Sequence, residues 1–115
     1  MSQVEIYHNP RCSKSRQTLE ILQQRGIEAS IIEYLKQPPS REQIKAILKA
    51  LDMTAHQLLR VKEAEYQEYK LSADTAEEDI ISAMIAAPKL IERPIVIKAG
   101  KARIGRPPES VLEIL

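Results

Sequence analysis

The chain has 115 residues, of which 43% are hydrophobic and 29% are charged, and its formal net charge is +1. This length and apolar content suit one compact domain, so we expect a single domain over residues 1–115. The balanced charge and the lack of Phe, Trp and basic blocks argue against nucleic acid as a partner. No segment reaches the roughly 20 apolar residues of a membrane span or resembles a signal peptide. We therefore predict a cytoplasmic protein that does not bind membranes.

The N-terminal segment shows the pattern of a strand, a helix and a second strand. Residues 3–7 alternate polar and apolar side chains, as a half-buried strand does. Apolar residues at helical spacing then predict a helix over about residues 13–25, which Gly26 ends. Residues 28–34 predict the second strand. Such a unit normally forms a parallel strand pair with a right-handed crossover.

A helical block follows the two prolines at positions 38 and 39. Three S/T-x-x-E/Q patterns predict capping boxes at helix starts; the pairs are Ser40 with Gln43, Thr54 with Gln57 and Thr75 with Glu78. Apolar residues within the block recur at intervals of three and four, which gives each segment one core-facing stripe. We therefore predict a helical insertion over about residues 40–88.

Strand patterns return only after the helical block. Residues 94–98 and 101–104 predict two strands joined by a tight turn at Ala99-Gly100. Pro107 and Pro108 then open a final predicted helix, because proline is tolerated in a first helical turn. The resulting order of βαβ, helical insertion and ββα predicts an α/β fold.

The single cysteine, Cys12, lies between the first predicted strand and the first predicted helix. Unpaired N–H groups and the positive end of the dipole at a helix N-terminus favour a thiolate. Free cysteines are often buried small hydrophobes, but the cationic and turn-forming neighbours here favour a reactive thiol. Because one cysteine forms no internal disulfide, an adduct on Cys12 must be resolved by another molecule's thiol. Cys12, His8 and His56 do not make a zinc ligand set, and we predict no metal site.

Three arginines stand near predicted element boundaries, namely Arg60, Arg93 and Arg106. Guanidinium groups that converged on a thiolate would bind a tetrahedral oxyanion, because the planar fork pairs with two oxygens. Most arginines are instead surface residues or salt-bridge partners, and sequence spacing alone does not bring these three together. His8 is equally open to two interpretations, as a group that lowers the pKa of the Cys12 thiol or as a plain hydrogen-bonding residue.

These residues closely resemble the ArsC family of glutaredoxin-dependent arsenate reductases, and the similarity runs nearly end to end. The matching segments are residues 6–16, 34–35, 38–40, 58–60, 90–96 and 104–109. The resemblance implies a thioredoxin-like fold with an inserted helical subdomain. It implies that Cys12 is the nucleophile and that the oxyanion is bound by Arg60, Arg93 and Arg106. It further implies that His8 and Ser15 keep the sulfur ionised and that Pro94 is a cis-proline beside the cysteine.

The activity implied by the resemblance is reduction of arsenate, or a similar oxyanion, to arsenite through a thiol–arsenic adduct on Cys12. No cofactor would be bound; glutathione would be the co-substrate and glutaredoxin the protein partner. We expect a monomer, because no long exposed apolar stripe is left over. Two alternatives stay open: a glutathione-linked thiol oxidoreductase with another substrate, and a regulator that binds RNA polymerase. Such regulators sense oxidants through a C-x-x-C pair, whose second position here is Ser15.

Overall fold

The computed structural model describes residues 3–115, which form two compact units. The first unit contains residues 3–37 and 93–115, and the second contains residues 38–92. The helical insertion predicted over about residues 40–88 falls within the second unit. The expectation that the whole chain is one domain stays a prediction.

The first unit contains four strands and one α-helix. The strands are β1 (Val4–Tyr7), β2 (Ser30–Ile32), β3 (Ile95–Lys98) and β4 (Lys101–Ile104), and the helix is α1 (Ser13–Gln24). The final predicted helix is a 3-10 helix over Pro108–Ile114. The second predicted strand is shorter than expected, because only three of its residues pair with β1.

The second unit is helical. It contains α2 (Arg41–Leu51), α3 (Ala55–Leu58), α4 (Ala64–Glu68), α5 (Glu77–Ala86) and a 3-10 helix over Pro88–Leu90. An isolated antiparallel bridge joins Leu59 to Ile91 near the end of this unit. Within residues 3–115, no helix is long and apolar enough to cross a membrane.

The strands of the first unit form one mixed sheet in the order β2-β1-β3-β4. The predicted parallel pair is present, with Ile6 opposite Ile31, while β3 runs antiparallel to both β1 and β4. A buried core cluster joins side chains of the sheet, α1 and the C-terminal 3-10 helix; its members are Val4, Ile6, Leu22, Val96, Val111 and Ile114. Burial of these apolar side chains is the main force that holds α1 and the last segment against the sheet.

The turn between β3 and β4 has the predicted two residues. Ala99 and Gly100 both adopt left-handed backbone conformations, with φ of 52° and 78°. Two such residues give a hairpin turn whose twist matches that of the flanking strands. Glycine adopts this conformation without strain, because it has no Cβ. Ala99 adopts it with some steric strain between its Cβ and the backbone.

Two of the three predicted capping boxes are present in the second unit. The Ser40 hydroxyl accepts a hydrogen bond from the Gln43 backbone N–H at 3.1 Å, and the Gln43 side chain accepts one from Ser40 N at 2.8 Å. Thr54 and Gln57 form the same reciprocal pair at the start of α3.

The third predicted box, Thr75 with Glu78, is wrong. The N-cap of α5 is Ala76, and the Thr75 hydroxyl instead accepts a hydrogen bond from Ser72 N at 2.9 Å. The Glu78 carboxylate forms ion pairs with Arg41 at 2.6 Å and Lys45 at 2.7 Å. These cations of α2 draw the carboxylate away from the helix start.

Replacing Ser40 by alanine should lower the free energy of unfolding by about 1 kcal/mol, because the exposed serine caps α2. Thr75→Ala should lower the free energy of unfolding by clearly less, since Thr75 is not the N-cap of α5. Urea denaturation of both variants beside the wild-type protein measures the two costs. Equal losses would show that Thr75 contributes as much as a true cap.

Candidate active site

Cys12 occupies the N-cap position of α1, directly after the loop that leaves β1. Its backbone N–H donates to the carbonyl of Asn9 at 3.0 Å, and its own carbonyl accepts from Arg16 N at 3.0 Å. The first bond closes the loop, and the second is the first hydrogen bond of the helix. The partly exposed sulfur therefore lies among the free N–H groups of the first helical turn.

The pKa of the Cys12 thiol is lowered from its ordinary value. Burial is the largest single influence and acts to raise the pKa, because it disfavours the charged thiolate. Hydrogen bonds from the backbone N–H groups of Ser15 and Lys14 and from the Arg93 side chain, together with the charge of Arg106, outweigh burial. The thiolate is thus stabilised by the helix N-terminus and two guanidinium groups.

Arg106 contacts the sulfur and is itself held by the backbone of Arg93. Its Nη2 lies 3.4 Å from the Cys12 Sγ, and its Nε donates to the backbone carbonyl of Arg93 at 2.8 Å. The second bond fixes the plane of the guanidinium group. The Arg93–Pro94 peptide bond is cis, as the resemblance implies for Pro94. Arg93 and Arg106 therefore meet at Cys12, although 94 residues separate Arg106 from the cysteine.

His8 contacts the side chain of Ser15, the third residue of α1. His8 Nδ1 lies 2.6 Å from the Ser15 Oγ, which also accepts a hydrogen bond from Asn9 N at 3.0 Å. The pKa of His8 is lowered, mainly by burial, with Arg16 acting in the same direction and Glu33 opposing. A lowered pKa favours the neutral imidazole at pH 7, and in the tautomer that carries its proton on Nε2 the Ser15 hydroxyl donates to Nδ1. His8 thus contacts the side chain of the serine whose backbone N–H donates to the Cys12 sulfur, and its role toward the thiolate stays a prediction.

Arg60 belongs to the second unit, where carboxylates hold its side chain. Its Nε donates to Glu63 Oε1 at 3.2 Å, and its Nη1 donates to Glu92 Oε1 at 2.9 Å. Both ion pairs are partly buried. An oxyanion would have to share the guanidinium group with these carboxylates, and the role of Arg60 stays a prediction.

Two residues that the sequence analysis assigned no role hold the site together. Asn9, which is buried, accepts the Cys12 N–H through its carbonyl and the Arg11 N–H through its Oδ1 at 3.0 Å. Its signal in the sequence is the Asn9-Pro10 dipeptide, which is typical of turns.

The second such residue is Gly105, next to Arg106. Gly105 N donates to the Pro94 carbonyl at 2.9 Å, and a Cβ at position 105 would lie 2.8 Å from Pro94 Cγ and overlap the Thr18 side chain. Thr18 is fully buried on α1. Only glycine lets the end of β4 pass this close to α1. This contact has no signature in local sequence.

The arrangement suits nucleophilic attack on the central atom of an anion. It offers a stabilised thiolate at a helix N-terminus and two guanidinium groups to neutralise negative charge beside it. Across residues 3–115, no group of three or more His, Cys, Asp or Glu side chains is placed to hold a metal ion. Fold and site define a class: small α/β proteins with one cysteine of lowered pKa at a helix N-terminus, beside two arginines.

Comparison with known proteins places the chain within this class. The model of the ArsC family matches residues 7–114. The chain is 52% identical to the uncharacterized protein YfgD of Escherichia coli strain K12, over 98% of this chain and 97% of that protein. It is 42% identical to the arsenate reductase of Neisseria meningitidis serogroup A over 100% of both chains. The arsenate reductase structure from Vibrio cholerae superposes with a TM-score of 0.95 at 47% identity, covering 98% of each chain.

The chain therefore belongs to the ArsC family, and its fold is thioredoxin-like. Both statements confirm what the sequence resemblance predicted. The inserted helices between β2 and β3 are the second unit described above.

Arg106→Gln should raise the pKa of Cys12, because it removes the guanidinium charge that lies against the sulfur. The rate of alkylation by iodoacetamide, followed against pH, reports this pKa. Arg103→Gln is the matched control, since it removes the same charge from an exposed pair with Glu113. A pKa that moves equally in both variants would contradict a specific contact between Arg106 and the thiolate.

Gly105→Ala should lower the free energy of unfolding by about 1–3 kcal/mol, because the new methyl group overlaps Thr18 and Pro94. Thr18→Ala removes the Thr18 atoms that clash but leaves the Pro94 contact, so the double variant should recover part of the lost free energy of unfolding. Denaturant unfolding of the single and double variants measures the coupling. Strictly additive effects would show that the two side chains do not compete for this space.

Proposed function

We propose that this protein reduces arsenate to arsenite with Cys12 as the nucleophile. The observation that carries the proposal is the 3.4 Å contact between Arg106 Nη2 and the Cys12 Sγ at the N-terminus of α1. With Cys12 as the nucleophile, this contact would put a cation beside the anionic substrate during attack. Relatives that are named arsenate reductases, such as the Neisseria meningitidis protein, support arsenate as the oxyanion.

In the first step the Cys12 thiolate attacks arsenic, an S–As bond forms, and an oxygen leaves as water after protonation. Arsenic stays in the +5 state. Arg93 and Arg106 neutralise charge on the remaining oxygens, which is how preorganised donors lower such barriers. We assign Arg60 to the same oxyanion, as the family resemblance implies.

Reduction then needs thiols from other molecules, because the chain contains one cysteine. Glutathione would displace a second oxygen from arsenic as water, giving a species with two S–As bonds. A glutaredoxin thiol would attack the glutathione sulfur. The new disulfide forms, the electron pair of the broken S–As bond stays on arsenic, and arsenic becomes +3. Hydrolysis of the remaining bond releases arsenite and restores the Cys12 thiol.

The alternative of a glutathione-linked oxidoreductase with another substrate uses the same thiolate and would show itself as thiol chemistry without arsenate dependence. The polymerase-binding regulator has less support. Its redox switch needs a second cysteine, and position 15 holds a buried serine that contacts His8. We keep the cytoplasmic location and the monomeric state as part of the proposal.

The test is arsenate-dependent NADPH oxidation with purified protein, glutathione, glutathione reductase and a panel of glutaredoxins. Cys12→Ser should abolish turnover, because a hydroxyl does not ionise at neutral pH as the thiol does. Arg106→Gln should reduce turnover by about tenfold or more through loss of a charge-assisted contact. Arg103→Gln, the exposed control, should stay near wild type. Residual turnover in Cys12→Ser would refute the nucleophile assignment.

A further inference from the structure

A cleft of about 280 Å³ opens beside the loop that carries Cys12. One wall is the segment 8–11, which follows β1, and the other includes residues of the segment 33–36, which follows β2. Both loops leave the same edge of the sheet because β1 and β2 are parallel neighbours. At the ends of these strands, His8 N donates a hydrogen bond to the Ile32 carbonyl at 2.8 Å. Crevices at the carboxyl ends of adjacent parallel strands are common ligand sites.

The cleft has two cationic groups and one anionic group. Arg11 lies on the first wall, and Lys36 and Glu33 lie on the second. Lys36 and Glu33 are 3.7 Å apart, with side chains that are 79% and 42% exposed, so their mutual attraction is weak and a ligand can replace it. Pro10 and Leu35 supply apolar surface between the charges.

The cleft and the oxyanion groups lie on opposite sides of β1 along the sheet. Arg93 precedes β3 and Arg106 follows β4, whereas the cleft lies at the ends of β1 and β2. A molecule in the cleft therefore leaves both guanidinium groups available to an oxyanion. Cys12 lies next to Arg11 in the chain, and its N–H is bonded to Asn9 of the cleft wall.

We propose that this cleft binds glutathione, the thiol that attacks the adduct on Cys12; the inference rests on the proposed function. Glutathione carries two carboxylates and one ammonium group, which match Arg11, Lys36 and Glu33 in number and sign. Its methylene groups would pack against Pro10 and Leu35. The site would thus hold the second thiol on the side of Cys12 away from the arginines that bind the oxyanion.

The test is binding of S-methylglutathione, which keeps every charge of glutathione but has no thiol to react. Titration of wild-type protein followed by NMR should shift the amides of residues 8–11 and 33–36 first. Arg11→Gln and Lys36→Gln should each weaken binding by about five- to tenfold. Lys101→Gln is the matched control, because this exposed lysine opens β4 at the opposite edge of the sheet.

The outcomes separate this inference from the proposed function. Unchanged affinity in Arg11→Gln and Lys36→Gln, or shifts confined to other residues, would overturn the cleft assignment even if arsenate is turned over. Charge-dependent binding in the cleft without any arsenate turnover would support the cleft and reject arsenate as substrate. In an active enzyme, both variants should raise the KM for glutathione and leave the KM for arsenate unchanged.

Discussion

The site depends on the stabilisation of the Cys12 thiolate at the N-terminus of α1. Burial of Cys12 works against its ionisation, and the N–H groups of Ser15 and Lys14 with two guanidinium groups reverse that effect. Asn9 sets the backbone of the cysteine, and the bond between Ser15 and His8 holds the first turn. A single local geometry thus lowers the pKa of this thiol below its ordinary value.

The sheet supplies the rest of the site by gathering distant segments at one edge. Tyr7, Ile95 and Ile104 lie opposite one another on β1, β3 and β4, so the loops beyond them meet beside Cys12. Arg93 and Arg106 occupy two of those loops. Gly105, the residue before Arg106, passes close against Thr18 and Pro94. The residue that brings a cation to the thiol therefore follows directly on a tightly packed glycine.

The sequence predicts most of the local structure and only part of the site. The strands, α1 and the caps at Ser40 and Thr54 follow from periodicity and capping chemistry, which are local. The capping box predicted at Thr75 is absent, because Arg41 and Lys45 of α2, which are distant in sequence, bind the Glu78 carboxylate.

The position of Cys12 at a helix start is a local signal too, but its contact with Arg106 depends on strand order across the whole sheet. Spacing along the chain carries no such information, and the family resemblance supplied it. The neutral state of His8 and the close approach of Gly105 depend on burial and packing, which appear only in three dimensions.

The most direct test of the account is a titration of the Cys12 thiolate in the wild-type protein. Ultraviolet absorbance of the thiolate is followed against pH, with Cys12→Ser subtracted to remove the signal of the tyrosines. We predict a midpoint clearly below the roughly 8.5 of a free cysteine. A midpoint at or above that value would contradict this prediction, because the helix N-terminus and the arginines would then not stabilise the thiolate.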